Sequence, residues 1–252
     1  MSSIDLHCHS DRSDGALAPA ALVERAAQRG VRILALTDHD TLEGLAEARS
    51  AACRHGVALI DGVEISVTWS GRTLHVLGLA IHPSDTVLRG GLSTLRAGRV
   101  QRAEAMGRRL AVAGVPSSFD GAMALATTPE TISRTHFARY LVAAGYADDV
   151  KDAFRRYLGE GSPGYVRHGW AGLAQAVSWI TQAGGIAVLA HPARYGLHAA
   201  RLRMLFREFR AVGGGAVEVV TPGCQDEHAR RFALLPRRGS LAGSAGSDFH
   251  SP

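Results

Sequence analysis

The histidines and acids of this 252-residue chain recur wherever a strand is expected to end, so hard nitrogen and oxygen ligands come from nearly its whole length. His7-Cys8-His9 and Asp14 open the series. Asp38-His39-Asp40, Glu64, His75 and His191-Pro192 follow, and Asp248-Phe249-His250 closes it. Only a closed fold could gather residues so far apart, and in a barrel of strands and helices the matching strand ends meet on one rim. The pattern reads as a polynuclear metal site written along such a rim.

Short apolar runs rich in branched residues predict strands at 3–6, 32–36, 57–60, 73–80, 185–189, 216–220 and 241–245, with helices between most of them. The first helix is expected over 19–29, stopped by Gly30. About seven strands in a βα rhythm suit an α/β protein built as a closed barrel. The rhythm breaks after Ile81, where an Arg-rich helical stretch over 86–113 leads through 116–130 into shorter helices and a Gly/Pro turn at 159–164. Residues 99–166 are therefore expected to form an inserted helical subdomain, the barrel being 1–98 and 167–252. On the rim that carries the chemistry such an insertion would cover the mouth; the competing reading is a packing appendage.

A hydrophobic fraction of 46% supplies a full core, and no run of roughly 18 apolar residues is present that could span a membrane. With no signal-like segment at its start, a cytoplasmic protein without an obligate protein partner is the expectation. Cys8, Cys53 and Cys224 are odd in number and far apart, which argues for free thiols over a disulfide or a structural zinc. Cys224, in an expected loop after a strand, reads as a small residue of no special role. A net charge of +5, carried almost wholly by arginine, fits acidic partners such as phosphorylated small molecules or nucleic acid.

His7 and His9, two apart on an extended segment, point to one face and can bind a single ion. Asp14 follows in Ser13-Asp14-Gly15, where the glycine permits a turn that returns a carboxylate toward them, able to bridge to a second ion. His39 is the expected ligand of the next element, with Asp38 and Asp40 orienting it; Asp40 as a plain helix cap is the alternative. Glu64, His75 and His191 would each be unremarkable alone, but with Asp248 and His250 they complete nine candidate ligands, six histidines and three carboxylates. Nine is enough for two or three ions.

These motifs, in this order, resemble the PHP family, the polymerase and histidinol phosphatase metal hydrolases: His7-Cys8-His9 with Ser13-Asp14-Gly15, Leu36-Thr37-Asp38-His39-Asp40, Gly62-Val63-Glu64, His75, Ala190-His191-Pro192 and Gly246-Ser247-Asp248-Phe249-His250. The resemblance implies a distorted (β/α)7 barrel with an inserted small helical subdomain, holding two or three divalent ions, Mn2+ first and Fe2+ or Zn2+ as alternatives. It assigns His7, His9, Glu64 and Asp248 to one ion, Asp14, His39 and His250 to a second, and Glu64, His75 and His191 to a third, with Glu64 bridging. Within the family, Ile132-Ser133-Arg134-Thr135-His136-Phe137 is similar to the subgroup that hydrolyses nucleotides phosphorylated at both 3′ and 5′ positions and includes related 5′ to 3′ exoribonucleases.

On that resemblance, a metal-bridging hydroxide would attack the 3′ phosphorus of a substrate such as pAp, and a nearby histidine or metal-held water would protonate the departing ribose oxygen. Asp14, His39 and His250 are expected to face substrate as well; Arg134, Thr135 and Arg102 are expected to hold the phosphate that is not cut, with Arg194 and His136, the candidate catalytic histidine, facing the substrate. For Arg102 a solvated helix arginine is an equal reading. His55, His82, His168, His198 and His228 are assigned no ligand role. The rival activities are 5′ to 3′ exoribonuclease on short RNA and histidinol-phosphate phosphatase; the non-enzymatic rival is a nucleotide-binding module with a vestigial metal site. The chain stops at Pro252, where a barrel would add a helix over its last strand, so a shortened barrel is expected.

Overall fold

The computed structural model describes residues 3–220 and 241–252; Cys224 and His228 lie outside them. Strand β1 (Ile4–Cys8) leads through helix α1 (Pro19–Gln28), β2 (Ile33–Leu36) and α2 (Leu45–His55) to β3 (Ala58–Trp69), and these three strands pair in parallel. Pro19 opens α1, where a missing N–H costs nothing, and Gly56 in the left-handed region (φ 67°) closes α2.

The βα rhythm then gives way. β3 turns straight back into β4 (Arg72–Leu79) as an antiparallel hairpin through Ser70 and Gly71, whose positive φ angles of 48° and 76° suit a two-residue turn. The strand expected at 57–60 is therefore much longer, and Glu64 lies in mid-strand rather than at an end. The cause is the alternation of Val63, Ile65, Val67 and Trp69, all buried, with polar Glu64, Ser66 and Thr68, a strand pattern of period two.

β5 (Ala171–Gly172) pairs with β3; β6 (Ile186–Leu189), β7 (Ala216–Val220) and β8 (Ala242–Ala245) extend the sheet in the order β1-β2-β3-β4-β6-β7-β8. Closure comes from the chain beyond β8, where Asp248 N donates to His7 O and His9 N to Phe249 O. The result is a distorted seven-stranded α/β barrel, mixed rather than wholly parallel because β4 opposes both its neighbours.

Helix α3 (Thr86–Val112) is a single helix that serves two cores. Leu88, Leu92 and Leu95 pack into the barrel's main cluster with α7 (Leu173–Gln182) and α8 (Ala199–Ala211), whereas Ala103, Met106 and Leu110 belong to a second cluster. That second cluster is shared with α4 (Ser118–Met123), α5 (Arg134–Ala143), α6 (Val150–Ala153) and a π-helical turn, Phe154–Leu158. The changeover falls between Leu95 and Ala103 within one unbroken helix. No helix among the described residues is long and apolar enough to cross a membrane.

Phe209 on α8 is completely buried in the main cluster. Phe209→Ala is expected to destabilise the chain by about 3–5 kcal/mol, read as a lower midpoint of chemical unfolding.

Candidate metal centre

Glu64 stands at the middle of the rim. Its Oε2 lies 3.3 Å from His7 Nε2, 3.2 Å from His9 Nε2 and 3.0 Å from His39 Nδ1, and its Oε1 lies 3.0 Å from His75 Nδ1 and 3.1 Å from His191 Nε2. One carboxylate thus faces five imidazoles. Asp248 Oδ1 sits 3.2 Å from His7 Nε2 and 3.1 Å from His9 Nε2, and Asp14 Oδ1 sits 3.2 Å from His250 Nε2. All nine residues singled out as ligands are brought together here.

Their donor atoms fall into three groups, each within 4.8 Å: His7, His9, Glu64 and Asp248; His9, Asp14, His39 and His250; and His39, Glu64 and His75. Glu64, His9 and His39 are each shared between two groups. His191 joins the third from one side, its Nε2 3.3 Å from His75 Nδ1. The backbone is bent to achieve this: His191 and Asp248 hold φ at 28° and 48°, a region that non-glycine residues occupy only when their surroundings enforce it.

The donor set fits cations. Asp14 Oδ1 and Glu64 Oε2 are buried and, despite close imidazole nitrogens, accept no hydrogen bond of good geometry. Burial raises the Glu64 carboxyl, but His39, His75 and His7 outweigh it and hold it well below the usual range. Burial lowers His9, yet its hydrogen bond to Asp248 and the closeness of the Glu64 carboxylate raise it to about 10, so neutral imidazoles alone leave the cluster short of positive charge. Imidazole with carboxylate suits first-row divalent ions.

Two further carboxylates organise the surroundings. Asp38 accepts from Ser10 N at 2.7 Å and from Ser13 Oγ at 2.6 Å, which fixes the loop that presents Asp14. Asp40 (φ 53°) accepts from Ser66 N at 2.8 Å and pairs with buried Arg99, tying α3 to β3.

A cavity of about 220 Å³ opens over the cluster, and its opposite wall carries Arg99, Arg102, Ser133, Arg134, Thr135, Phe154 and Trp170. Arg102 donates from Nε to Val166 O and lies 5.4 Å from the Trp170 ring, and Arg134 lies 5.5 Å from the Phe154 ring. Among the described residues neither has a carboxylate within ion-pair distance. Burial, with Arg134 and Arg99 nearby, lowers Arg102 to about 9, a strain that an anion would relieve. A larger apolar cavity of about 430 Å³, among Leu22, Val31 and Leu34, lies away from these groups.

Arg194 lines the cavity and pairs with Asp248 Oδ2. Thr135 also lines it, its N–H donating to Ser133 Oγ. His136 is placed differently from the sequence expectation. It is buried behind the cavity wall, and its Nδ1 accepts from Ser133 N at 3.0 Å as the third residue of a capping box at the start of α5. Ser133 completes the box and also donates to Asp14 Oδ2 at 3.1 Å.

Sequence reasoning missed Arg99, Phe154, Trp170 and Glu218. Glu218, buried on β7, accepts from His7 Nδ1 at 2.9 Å and His191 N at 2.7 Å. The available signal was a lone acid inside the apolar run Ala216-Val217-Glu218-Val219-Val220.

Comparison with known proteins agrees with this geometry. The PHP domain model matches residues 5–160. A 3′,5′-nucleoside bisphosphate phosphatase of Chromobacterium violaceum is 49% identical over all of this chain and 88% of its own length. A 5′-3′ exoribonuclease of Haemophilus influenzae is 44% identical over 98% of this chain and 90% of its own. The crystal structure of an amidohydrolase from Chromobacterium violaceum, with sulfate bound and no metal, superimposes with a TM-score of 0.98 at 49% identity, covering 100% of this chain and 88% of that one.

Burial lowers His136 to about 4, against 6.5 when unfolded. The unfolded chain therefore takes up this proton first, and stability falls as pH drops from about 6.5 to 4, by on the order of 3 kcal/mol from this group. His136→Gln, which keeps the capping box, is expected to flatten that part of the stability profile measured by chemical unfolding at a series of pH values.

Proposed function

This chain belongs to the PHP domain family, and from that premise we propose that it is a metal-dependent phosphatase that removes the 3′-phosphate of 3′,5′-bisphosphonucleosides such as pAp, leaving the 5′ monophosphate. The observation that carries this reading is one cavity with two walls of opposite chemistry. One wall clusters ligand groups for several cations; the other offers the half-buried guanidinium groups of Arg102 and Arg134, which have no carboxylate within ion-pair distance among the described residues. A substrate with two phosphates fits between them. The identity of 49% with a bisphosphate phosphatase over the full chain supports the same reading.

The nine ligand residues hold the two or three ions, with Mn2+ as the expected metal and Fe2+ or Zn2+ compatible with the donor set. When bound, the ions neutralise phosphate charge and bring the pKa of coordinated water toward ~7. The chain's own residues do the rest. Asp248 is divided between roles, with Oδ1 turned to His7 and His9 and Oδ2 held by Arg194. Arg102 and Arg134 donate to the phosphate that is kept, joined by Thr135, which anchors the substrate and leaves the 3′ phosphorus at the cluster. Ser133 holds Asp14 from the insertion, so the wall that grips one phosphate also orients a ligand on the other side.

The second reading is a 5′ to 3′ exoribonuclease acting on short RNA at the same site, favoured by the Haemophilus influenzae relative. Turnover by Mn2+-loaded protein of pAp and of a 5′-phosphorylated oligoribonucleotide separates the two. Faster phosphate release from pAp, abolished by His39→Ala, is expected; nucleotide release from the oligomer with pAp untouched would reverse the assignment. Arg134→Ala is expected to raise KM for pAp roughly tenfold or more, the loss of a charged hydrogen bond, with kcat changed less.

A further inference from the structure

Outside the nine ligands, one buried acid touches two of them. Glu218 is 2% exposed, sits on β7 between apolar neighbours and has no arginine or lysine within ion-pair distance among the described residues. It is absent from all three ligand groups. A carboxylate so placed must have its oxygens satisfied by hydrogen bonds, and each has one: Oε1 from the His7 ring at 2.9 Å, Oε2 from the His191 backbone N–H at 2.7 Å.

These two contacts answer a question that a metal histidine always poses. A neutral imidazole carries one proton, and the nitrogen that keeps it cannot bind an ion. His7 Nε2 faces the cluster, 3.3 Å from Glu64 and 3.2 Å from Asp248, while Nδ1 faces Glu218. His191 has the other difficulty. Its φ of 28° must be imposed from outside, and its N–H is held by the same carboxylate. Gly246 shows how tightly this is built, since a Cβ there would meet His7 Cβ at 2.3 Å and Glu218 Oε1 at 2.9 Å.

We propose that Glu218 is the positioning residue of the centre: by accepting the Nδ1 proton of His7 it commits that ring's Nε2 to an ion, and with its second oxygen it fixes the backbone of His191 on the opposite side. The proposal rests on the reading of His7 as a metal ligand. One side chain outside the ligand shell thus links the first ligand group to the third.

Glu218→Gln tests it without changing side-chain volume. The amide oxygen can still accept from His191 N–H, which turns the NH2 toward His7 Nδ1, places the ring proton on Nε2 and removes that nitrogen as a ligand. Zn2+ serves as a diamagnetic probe, with zinc per chain measured by elemental analysis after desalting and the His7 tautomer by long-range 1H–15N NMR, assigned against His7→Gln. Zinc-loaded wild type is expected to carry the His7 proton on Nδ1. The Glu218→Gln variant is expected to bind zinc about 10- to 100-fold more weakly. A proton on Nε2 in zinc-loaded wild type overturns the proposal whether or not the variant folds, as does a folded variant with unchanged zinc affinity. Wild type that takes up no zinc overturns the metal centre along with it.

Discussion

The rim depends on the burial of carboxylates. Glu64, Asp14, Asp248 and Glu218 are each almost wholly removed from solvent, and such groups are tolerable only when opposite charge or hydrogen-bond donors surround them. Here the surroundings are imidazoles, with Arg194 the one guanidinium paired to any of the four among the described residues. Imidazoles neutralise acids only by taking protons, and several are pushed in opposite directions: His9 is pulled up by Asp248 and Glu64, whereas burial holds His39 well below its ordinary value. Cations in these ligand groups would resolve that conflict, because they supply positive charge and leave the rings neutral.

The fold makes the cluster stiff. Glu64 is held within an eight-pair antiparallel ladder between β3 and β4, so its two oxygens face opposite sets of histidines from a rigid mid-strand position. The second cluster's helices and their connections are tied to the same loop that carries Asp14: Ser133 reaches its carboxylate, Arg139 donates to Asp14 O, and Thr127 donates to Asp11 O. Because α3 runs unbroken from the barrel core into the second cluster, Arg99 and Arg102 are placed by both clusters together. The arginine-bearing wall and the ligand wall are therefore parts of one frame.

Much of this was legible in the sequence. The candidate ligands stand out because histidine and carboxylate recurring along successive strands are costly to bury without purpose, and β2, β6, β7 and β8 end where expected, although Glu64 and His75 lie within their strands. The hairpin does not follow from the sequence, since Ser70-Gly71 is a weak turn signal and the strand expected at 57–60 stops short of the period-two pattern after Gly62. Glu218 offers only the weak signal of a lone acid in an apolar run, because its role is set by topology: β7 lies between β6 and β8, from where the carboxylate reaches His7 on β1 and His191 after β6. His136 was misplaced for a related reason: a histidine three residues after Ser133 can cap a helix or face a cavity, and only the backbone decides. Arg99 is one more arginine of a long helix in the sequence; its pairing with Asp40, in the connection after β2, is set by the fold.

The central claim is that these side chains cage several cations in one place. Anomalous diffraction from a crystal of this protein loaded with Mn2+ tests it directly. Two or three peaks a few ångströms apart, each bounded by the residues of one ligand group around Glu64, are the predicted result. A fully loaded crystal with no peak among His7, His39 and His75 would contradict the account.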